Sequence, residues 1–228
     1  LSAMPLEMDD WGVDAVITGG QKGLSSIPGV SLIAFSDRAW DLITTRADTL
    51  RHWCLDAKLA DQFWNKKSYH YTAPVSGILA MHEALRLICH ETLPVRFERH
   101  KRCSVSLQAG IQAMGLKLYV PEAIRLNSVI GISLPAGIKA DDLLNHMRLR
   151  YRVEISGSFG PPIVRIGQMG EQSRSHNLFR TLHALGSSMK RLGVPVDVPG
   201  GVARLEFTLE SIELQWNEMS NNPIDSTE

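Results

Sequence analysis

One lysine stands among glycines directly after the first apolar run of the chain. Residues 13–18 read VDAVIT, which is typical of a buried strand, and residues 18–25 continue as TGGQKGLS. Glycine lets a backbone approach a ligand closely, and a partly desolvated lysine loses affinity for its proton. Lys22 is therefore a candidate amine nucleophile that forms a Schiff base with a carbonyl, as pyridoxal phosphate (PLP) requires. Taken alone, the G-x-K triplet of Gly20, Gln21 and Lys22 is much more typical of a surface lysine in a turn, because such triplets are common by chance.

The elements around this lysine indicate α/β organisation. Residues 30–35, VSLIAF, follow Pro28-Gly29 as a second strand candidate, and Ser36 or Asp37 is suited to cap a helix over 38–51. The order is thus strand, glycine loop, strand and helix. Residues 53–72 show no clear period, and we expect a loop there that reaches a ligand or a partner.

The remainder alternates between helices and short strands. Pro74 can begin a helix that runs to Glu91, and a second helix is expected over 95–114. Its basic residues, Arg96, Arg99, Lys101 and Arg102, are expected to form a solvated helix face. Strands are predicted at 116–120, 129–134, 153–156 and 163–167, and helices at 141–150 and 175–192. This pattern predicts an α+β domain.

Composition narrows the function classes. The 228 residues include 24 Lys+Arg and 24 Asp+Glu, and zero net charge argues against a general nucleic-acid binder. No apolar run approaches the roughly 20 residues of a membrane span. The three cysteines (Cys54, Cys89 and Cys103) form no C-x-x-C pair, and the histidines lack metal-ligand spacing, so neither a disulfide framework nor a metal site is expected. A reducing compartment follows, with the cytoplasm as the default because no targeting signal is visible.

Four blocks in order resemble one enzyme family. Residues 17–40, ITGGQKGLSSIPGVSLIAFSDRAW, resemble the PLP-lysine segment of class V aminotransferases, the alanine–glyoxylate branch in particular. The other blocks are YHYTAP at 69–74, RFERHKRCSVSLQAGIQAMGLKLY at 96–119, and SFGP at 158–161 followed by VRIGQMG at 164–170. Together the resemblance spans residues 1–192.

The resemblance implies a fold, a cofactor and site residues. The chain is similar to the C-terminal part of a type I PLP-dependent transferase fold. Residues 1–72 would end the large α/β domain and carry the linker, 73–200 would form the small α+β domain, and 201–228 would be a tail. Lys22 corresponds to the Schiff-base lysine and Gln21 to a donor to the cofactor phosphate. Tyr69 and Thr72 correspond to residues that reach the phosphate of the other subunit in a homodimer with shared active sites.

Arg165 corresponds to the arginine that binds the substrate carboxylate, a role that suits its planar, permanently charged fork. The implied reaction moves an amino group from a small amino acid, alanine or serine, to glyoxylate or a similar 2-oxo acid. Tyr69 favours the alanine–glyoxylate type, whereas RFERH and QAGIQAMGL favour ureidoglycine–glyoxylate or pyridoxamine–pyruvate aminotransferases. Only three residues separate Pro161 from Arg165, fewer than is common in the family.

The beginning of the sequence adds an alternative of another class. In the family, the segment equivalent to LSAMPLEMDD lies inside the large domain, just after the aspartate that pairs with the PLP ring nitrogen. The chain is thus expected to be an N-terminally truncated enzyme. A catalytically inert fragment that only packs against a partner is the alternative.

Overall fold

The chain divides into two compact units. The structure, a computed structural model, describes residues 2–47, 52–69 and 71–221, without the side chains of 219–221. Unit 1 holds Pro5–Glu91, and unit 2 holds Ser2–Met4 together with the chain from Thr92 onward. The helix over 75–91 belongs to unit 1, because its buried Met81 and Ile88 pack with Leu24. The boundary after residue 72 between a large and a small domain stays a prediction.

Unit 1 consists of a hairpin and three helices. Strands β1 (Ala15–Gly19) and β2 (Ser31–Phe35) pair antiparallel, and α1 (Asp37–Thr45), α2 (Ala57–Asn65) and α3 (Val75–Glu91) follow. Helix α1 has the predicted cap, since Ser36 Oγ accepts a hydrogen bond from Ala39 N at 3.2 Å. Helix α1 ends at Thr45, so the predicted helix is too long by at least residues 46–47, and its remaining residues 48–51 lie outside the described residues.

Helix α2 occupies the stretch that the sequence predicted as a loop. Its cap is Asp56, whose Oδ1 accepts a hydrogen bond from Leu59 N at 3.0 Å. The prediction missed this helix because nine residues give too few turns for an apolar period to stand out. A short 3₁₀ turn over Trp53–Leu55 precedes it.

The buried core of unit 1 is small. Leu24, Met81 and Ile88 are buried, and Val30 and Leu32 pack against them. On the hairpin, the directly paired Ile17 and Ile33 are 73% and 56% exposed. A two-stranded hairpin is only marginally stable by itself in water. The contact between α3 and the loop that carries Leu24 is therefore the main support of this unit.

Unit 2 has the predicted α+β composition. Its helices are α4 (Leu93–Ala113), α5 (Ala140–His146), α6 (Ser175–Arg191) and α7 (Val198–Asn221), with a π-helical turn over Met147–Tyr151 directly after α5. Strands β3 (Val129–Ser133) and β4 (Ile163–Gly167) pair antiparallel. The predicted strands 116–120 and 153–156 are reduced to single bridges, Leu118 with Ile132 and Ser156 with Arg165.

Helix α7 takes the place of the tail predicted from residue 201. It packs on α4, where Gly110 and Gly201 allow the two backbones to approach closely: a Cβ on Gly201 would lie 2.9 Å from Gly110 O. Leu205 and Leu209 of α7 are buried in the unit 2 core. The sequence Pro199-Gly200-Gly201 at its start is typical of a loop, and the helix that buries Leu205 and Leu209 lies far earlier in the chain. Residues 222–228 of the predicted tail lie outside the described residues.

Two of the four basic residues expected on a solvated face of α4 are buried. Arg96 is 1% exposed and Arg99 is 8% exposed, whereas Lys101 faces solvent. Arg99 Nη1 donates hydrogen bonds to Gly170 O at 2.9 Å and to Ser173 O at 2.6 Å. The prediction was wrong for these two because the loop after β4, distant in sequence, supplies carbonyl acceptors to the interior face of α4.

Candidate cofactor and substrate site

Lys22 lies on a closed loop at the end of β1. Lys22 N donates to Gly19 O at 3.0 Å, and Ser25 N donates to Lys22 O at 3.0 Å. The loop is tied to the start of β2, since Gly20 N donates to Val30 O at 3.0 Å. The Lys22 side chain is exposed, so the described residues do not form the desolvated pocket that the sequence suggested. Its Nζ forms no hydrogen bond or ion pair with any described residue, which leaves the amine accessible.

Gly20 fixes the base of this loop. A Cβ at residue 20 would lie 2.5 Å from Met81 Cε and 2.8 Å from Val30 O, closer than any side chain can approach. Gly20 and Leu24 are both buried. The chain on either side of Lys22 is therefore packed against α3 and β2, while the lysine itself projects outward.

Gln21 folds back over the end of β1. A Cβ on Gly19 would lie 2.8 Å from Gln21 Oε1, so the carboxamide lies against the glycine backbone. The Gln21 side chain is exposed, and its Nε2 group is a hydrogen-bond donor next to Lys22 in the chain. The structure thus brings an amine and an amide donor together on one loop.

Tyr69 and Thr72 lie in the segment that connects α2 to α3. Tyr69 is 64% exposed and Thr72 is also exposed, while His70 between them lies outside the described residues. Within the described chain, neither side chain forms a hydrogen bond with Lys22 or Gln21. The structure therefore places a phenol and a hydroxyl on the surface of unit 1 without joining them to the Lys22 loop.

Arg165 lies at the centre of β4 in unit 2. Its backbone pairs with Ser156, with Arg165 N donating to Ser156 O at 2.7 Å and Ser156 N donating to Arg165 O at 3.0 Å. The half-buried side chain donates from Nε to Gly157 O at 2.9 Å. The terminal nitrogens, Nη1 and Nη2, form no hydrogen bond with a described residue. One edge of the guanidinium is therefore held, and two parallel N–H groups remain for a bidentate carboxylate.

Two features near this strand escaped the sequence analysis. Phe159, in the short connection that leads to β4, is 100% exposed. The loop after β4 is held from α4, where buried His100 accepts a hydrogen bond at Nε2 from Gly170 N at 2.9 Å. The histidine within RFERH gave no signal of this role, because its partner is seventy residues away in sequence.

The arrangement can perform amine and carboxylate chemistry. Unit 1 presents an unpaired amine beside hydrogen-bond donors, and unit 2 presents an arginine fork. Among the described residues there is no group of three or more histidine, cysteine or acidic side chains that could hold a metal ion. The helices described in the structure include none long and apolar enough to cross a membrane. All three cysteines are free thiols.

Comparison with known proteins gives the chain its relatives. Alanine–glyoxylate aminotransferase of Felis catus is 34% identical over 199 residues, which are 84% of this chain and 48% of that protein. Among solved structures, ureidoglycine–glyoxylate aminotransferase from Bacillus subtilis has a TM-score of 0.87 at 29% identity, covering 92% of this chain and 55% of that chain. Pyridoxamine–pyruvate aminotransferase from Mesorhizobium loti has a TM-score of 0.88 at 26% identity, with the same coverage. No protein-family model matches the chain.

The chain spans about half the length of the relatives that it matches. Within that half, sequence and fold agree over most of the chain, and the relatives share the type I fold of PLP-dependent enzymes. Over most of its length, the chain matches class V aminotransferases in sequence and in fold.

Proposed function

We propose that this chain takes part in PLP-dependent transamination, transferring an amino group from alanine or serine to glyoxylate or a similar 2-oxo acid. The observation that carries the proposal is the exposed, unpaired amine of Lys22 on a loop that buried Gly20 fixes at the end of β1. The names of the relatives support the choice of glyoxylate as the acceptor.

The residues of the Lys22 loop fit the cofactor. Lys22 Nζ would hold PLP covalently, and the Gln21 carboxamide would donate to its phosphate. When bound, PLP supplies an electron sink for the bonds at the substrate Cα. During the reaction the Lys22 amine would take the proton from Cα as general base and return it as general acid. Its mobility suits this role, because no described residue holds Nζ.

Arg165 would orient the substrate. Its Nε is occupied by Gly157 O, so a carboxylate would bind at the terminal Nη1 and Nη2 groups in a bidentate pair. Such a pair fixes the direction of the carboxylate as well as its position. Arg165 would thereby fix the orientation of the substrate by its carboxylate.

A homodimer with shared active sites would complete the phosphate site. Tyr69 and Thr72 are exposed and distant from hydrogen-bonding partners in the described chain, as expected of donors that reach a second subunit. We further assign residues 1–72 to the end of the large cofactor-binding domain with its linker, and residues 73–200 to the small α+β domain. The free cysteines support the cytoplasm as the compartment.

Two related reactions are the second candidate. Ureidoglycine–glyoxylate and pyridoxamine–pyruvate transfer are favoured by the TM-scores of 0.87 and 0.88 with those enzymes. They differ from the leading proposal in the amino donor and acceptor, not in the role of Lys22. Parallel assays with alanine plus glyoxylate, ureidoglycine plus glyoxylate, and pyridoxamine plus pyruvate distinguish them by the product that forms.

Covalent labelling tests the cofactor assignment. The purified chain is incubated with PLP, scanned for a band at roughly 410–430 nm, reduced with borohydride and digested for mass spectrometry. We expect the reduced cofactor on Lys22, loss of the label in Lys22→Ala, and unchanged labelling in the control Lys66→Ala, which removes another exposed lysine of unit 1. Equal labelling of Lys22→Ala would refute the assignment. Absence of any yellow species would favour the catalytically inert alternative.

Mixing two inactive variants tests the shared active site. A Lys22→Ala subunit retains Tyr69, and a Tyr69→Ala subunit retains Lys22, so a mixed dimer contains one complete site. We expect transaminase activity to reappear on mixing if each site uses residues of both subunits. If mixing restores nothing although light scattering shows dimers, Tyr69 does not act across the interface.

A further inference from the structure

Positive charge is concentrated in two segments of unit 2. Residues 143–153 contain Arg148, Arg150 and Arg152, and residues 175–196 contain Arg180, Lys190 and Arg191, while neither segment contains an acidic residue. The whole chain has equal numbers of basic and acidic residues. Unit 2 therefore carries a local excess of positive charge where these segments lie near each other.

The two segments line one concavity. It has a volume of about 520 Å³, and its walls are His146, Arg150, Tyr151, Ser187, Lys190 and Arg191. No carboxylate is among these residues. Within the described part of the chain, Arg150, Lys190 and Arg191 form no salt bridge, and all three are exposed. We call this region the cationic concavity.

The wall of the cationic concavity is held in place by specific contacts. Arg180 Nη2 donates to Arg152 O at 3.0 Å and to Tyr151 O at 3.3 Å, at the end of the π-helical turn. The Tyr151 ring lies edge-on to His146, with ring centres 5.9 Å apart. His146 Nδ1 is in turn 2.9 Å from the Oγ of buried Ser188. π-Helical turns occur frequently at functional sites.

Basic residues at helix ends have an ordinary explanation, since they offset the negative end of the helix dipole. Lys190 and Arg191 lie in the last turn of α6, and that explanation accounts for their types. The same explanation covers Arg150, which lies in the last turn of its own helical segment, but it does not account for the meeting of the two segment ends at one concavity. The convergence of the two segments therefore points to a ligand.

An apolar concavity adjoins the cationic one. It has a volume of about 590 Å³ and shares Ser187 and Lys190 with the cationic concavity. Its apolar walls come from the start of α7 and are Val198, Pro199, Val202 and Ala203, and His183 and Glu206 also line it. A ligand that fills both has an anionic group at one end and an apolar or aromatic body at the other.

We propose that these adjoining concavities bind a phosphorylated small molecule with an aromatic or apolar body. The phosphate lies between Arg150, Lys190 and Arg191, where arginine forks and a lysine point charge both suit phosphate oxygens. The body lies against Val198, Pro199 and Ala203. None of these residues is among those assigned to transamination, and the inference stands without that function.

Calorimetric titration of the full chain with pyrophosphate and with ADP tests the site. Pyrophosphate probes the cationic concavity alone, and ADP probes both concavities. We expect Lys190→Glu to weaken both ligands at least about tenfold, because a converging positive charge becomes negative. The control Arg148→Glu makes the same charge change on the π-helical turn, outside the lining, and we expect less than about a twofold effect. Ala203→Trp should weaken ADP and leave pyrophosphate unchanged.

Circular dichroism of each variant checks that unit 2 is folded, and Arg150→Gln replaces Lys190→Glu if the latter does not fold. The proposal is overturned if the unmodified chain shows no saturable pyrophosphate binding. It is also overturned if Arg148→Glu weakens pyrophosphate as much as Lys190→Glu, since binding would then follow the overall charge. Equal effects of Ala203→Trp on both ligands would remove the apolar half of the site.

Discussion

Replacing His100 tests whether the interior of unit 2 depends on the buried polar contacts between α4 and the loop after β4. His100 is completely buried, with Nδ1 2.8 Å from Arg96 O and Nε2 2.9 Å from Gly170 N. A backbone N–H can only donate, so Nε2 accepts and the ring proton lies on Nδ1, which donates to Arg96 O. The ring is therefore neutral, and both nitrogens are used.

The expected loss follows from these contacts. His100→Ala removes two hydrogen bonds, each worth about 1 kcal/mol net, and leaves the buried Gly170 N–H without this acceptor at a further cost of about 1–3 kcal/mol. These contributions lower the free energy of unfolding by about 3–5 kcal/mol, and the cavity that the ring leaves adds to the loss. At about 4 °C per kcal/mol for a unit of this size, Tm should fall by roughly 12–20 °C.

Thermal unfolding followed by circular dichroism measures this change, because α4, α6 and α7 give unit 2 most of the helical signal. The matched control is His176→Ala, which removes an exposed histidine from the first turn of α6. We expect the control to change the free energy of unfolding by less than about 0.5 kcal/mol. The reasoning fails if His100→Ala and His176→Ala melt within about 2 °C of each other, because the hydrogen bonds of His100 would then contribute nothing net.

Three further predictions concern other parts of the chain. Hydrogen bonds from Arg38 and Ser36 lower the pKa of Asp14 to about 2. The stability that these bonds give is therefore present above the pKa of Asp14 in the unfolded chain, about 3.9, and is lost as the pH falls through about 2. Asp14→Asn should thus flatten the loss of stability between about pH 4 and pH 2 in acid titrations, and an unchanged slope would contradict this. Burial raises the pKa of the Cys103 thiol. In the folded chain a thiol reagent should therefore label the two exposed cysteines and reach Cys103 only in denaturant. Rapid labelling of all three cysteines would be inconsistent with the fold. Gly201→Ala would place a Cβ 2.4 Å from a methionine Cγ and should lower the unfolding free energy by about 1–3 kcal/mol in urea titrations, although the same change in an exposed helix stabilises.

The opening of unit 1 was predictable because its determinants are local. The apolar runs on either side of the glycine loop form β1 and β2. Ser36 caps α1 by accepting a hydrogen bond from Ala39 N, only three residues later in the chain. The resemblance placed Lys22 on this loop, and the structure shows its amine exposed and unpaired within the described residues. Only the structure shows that Gly20 must be glycine, because Met81 and Val30 O are brought to it by α3 and β2.

Unit 2 shows where local patterns are insufficient. Segments 116–120 and 153–156 have the residue types of strands, yet each forms a single β-bridge. A strand needs a partner strand beside it, and no local sequence pattern specifies that partner. Helix α7 was taken for a tail, because Pro199-Gly200-Gly201 near its start are typical of a loop and its partner α4 lies about a hundred residues earlier. The surface of α4 on which α7 packs is evident only once the fold brings the two helices together.

The sequence by itself determined the similarity of this chain to class V aminotransferases and predicted Lys22 and Arg165 as residues of its site. These predictions rest on residue types at fixed spacing, which survive in the linear order. The tertiary structure alone decided which charges are buried and which converge: Arg96 and Arg99 face the interior, and Arg150 and Lys190, from two segments, line one concavity. The physical reason is that burial and electrostatic convergence depend on contacts between residues far apart in the chain, and folding sets those contacts.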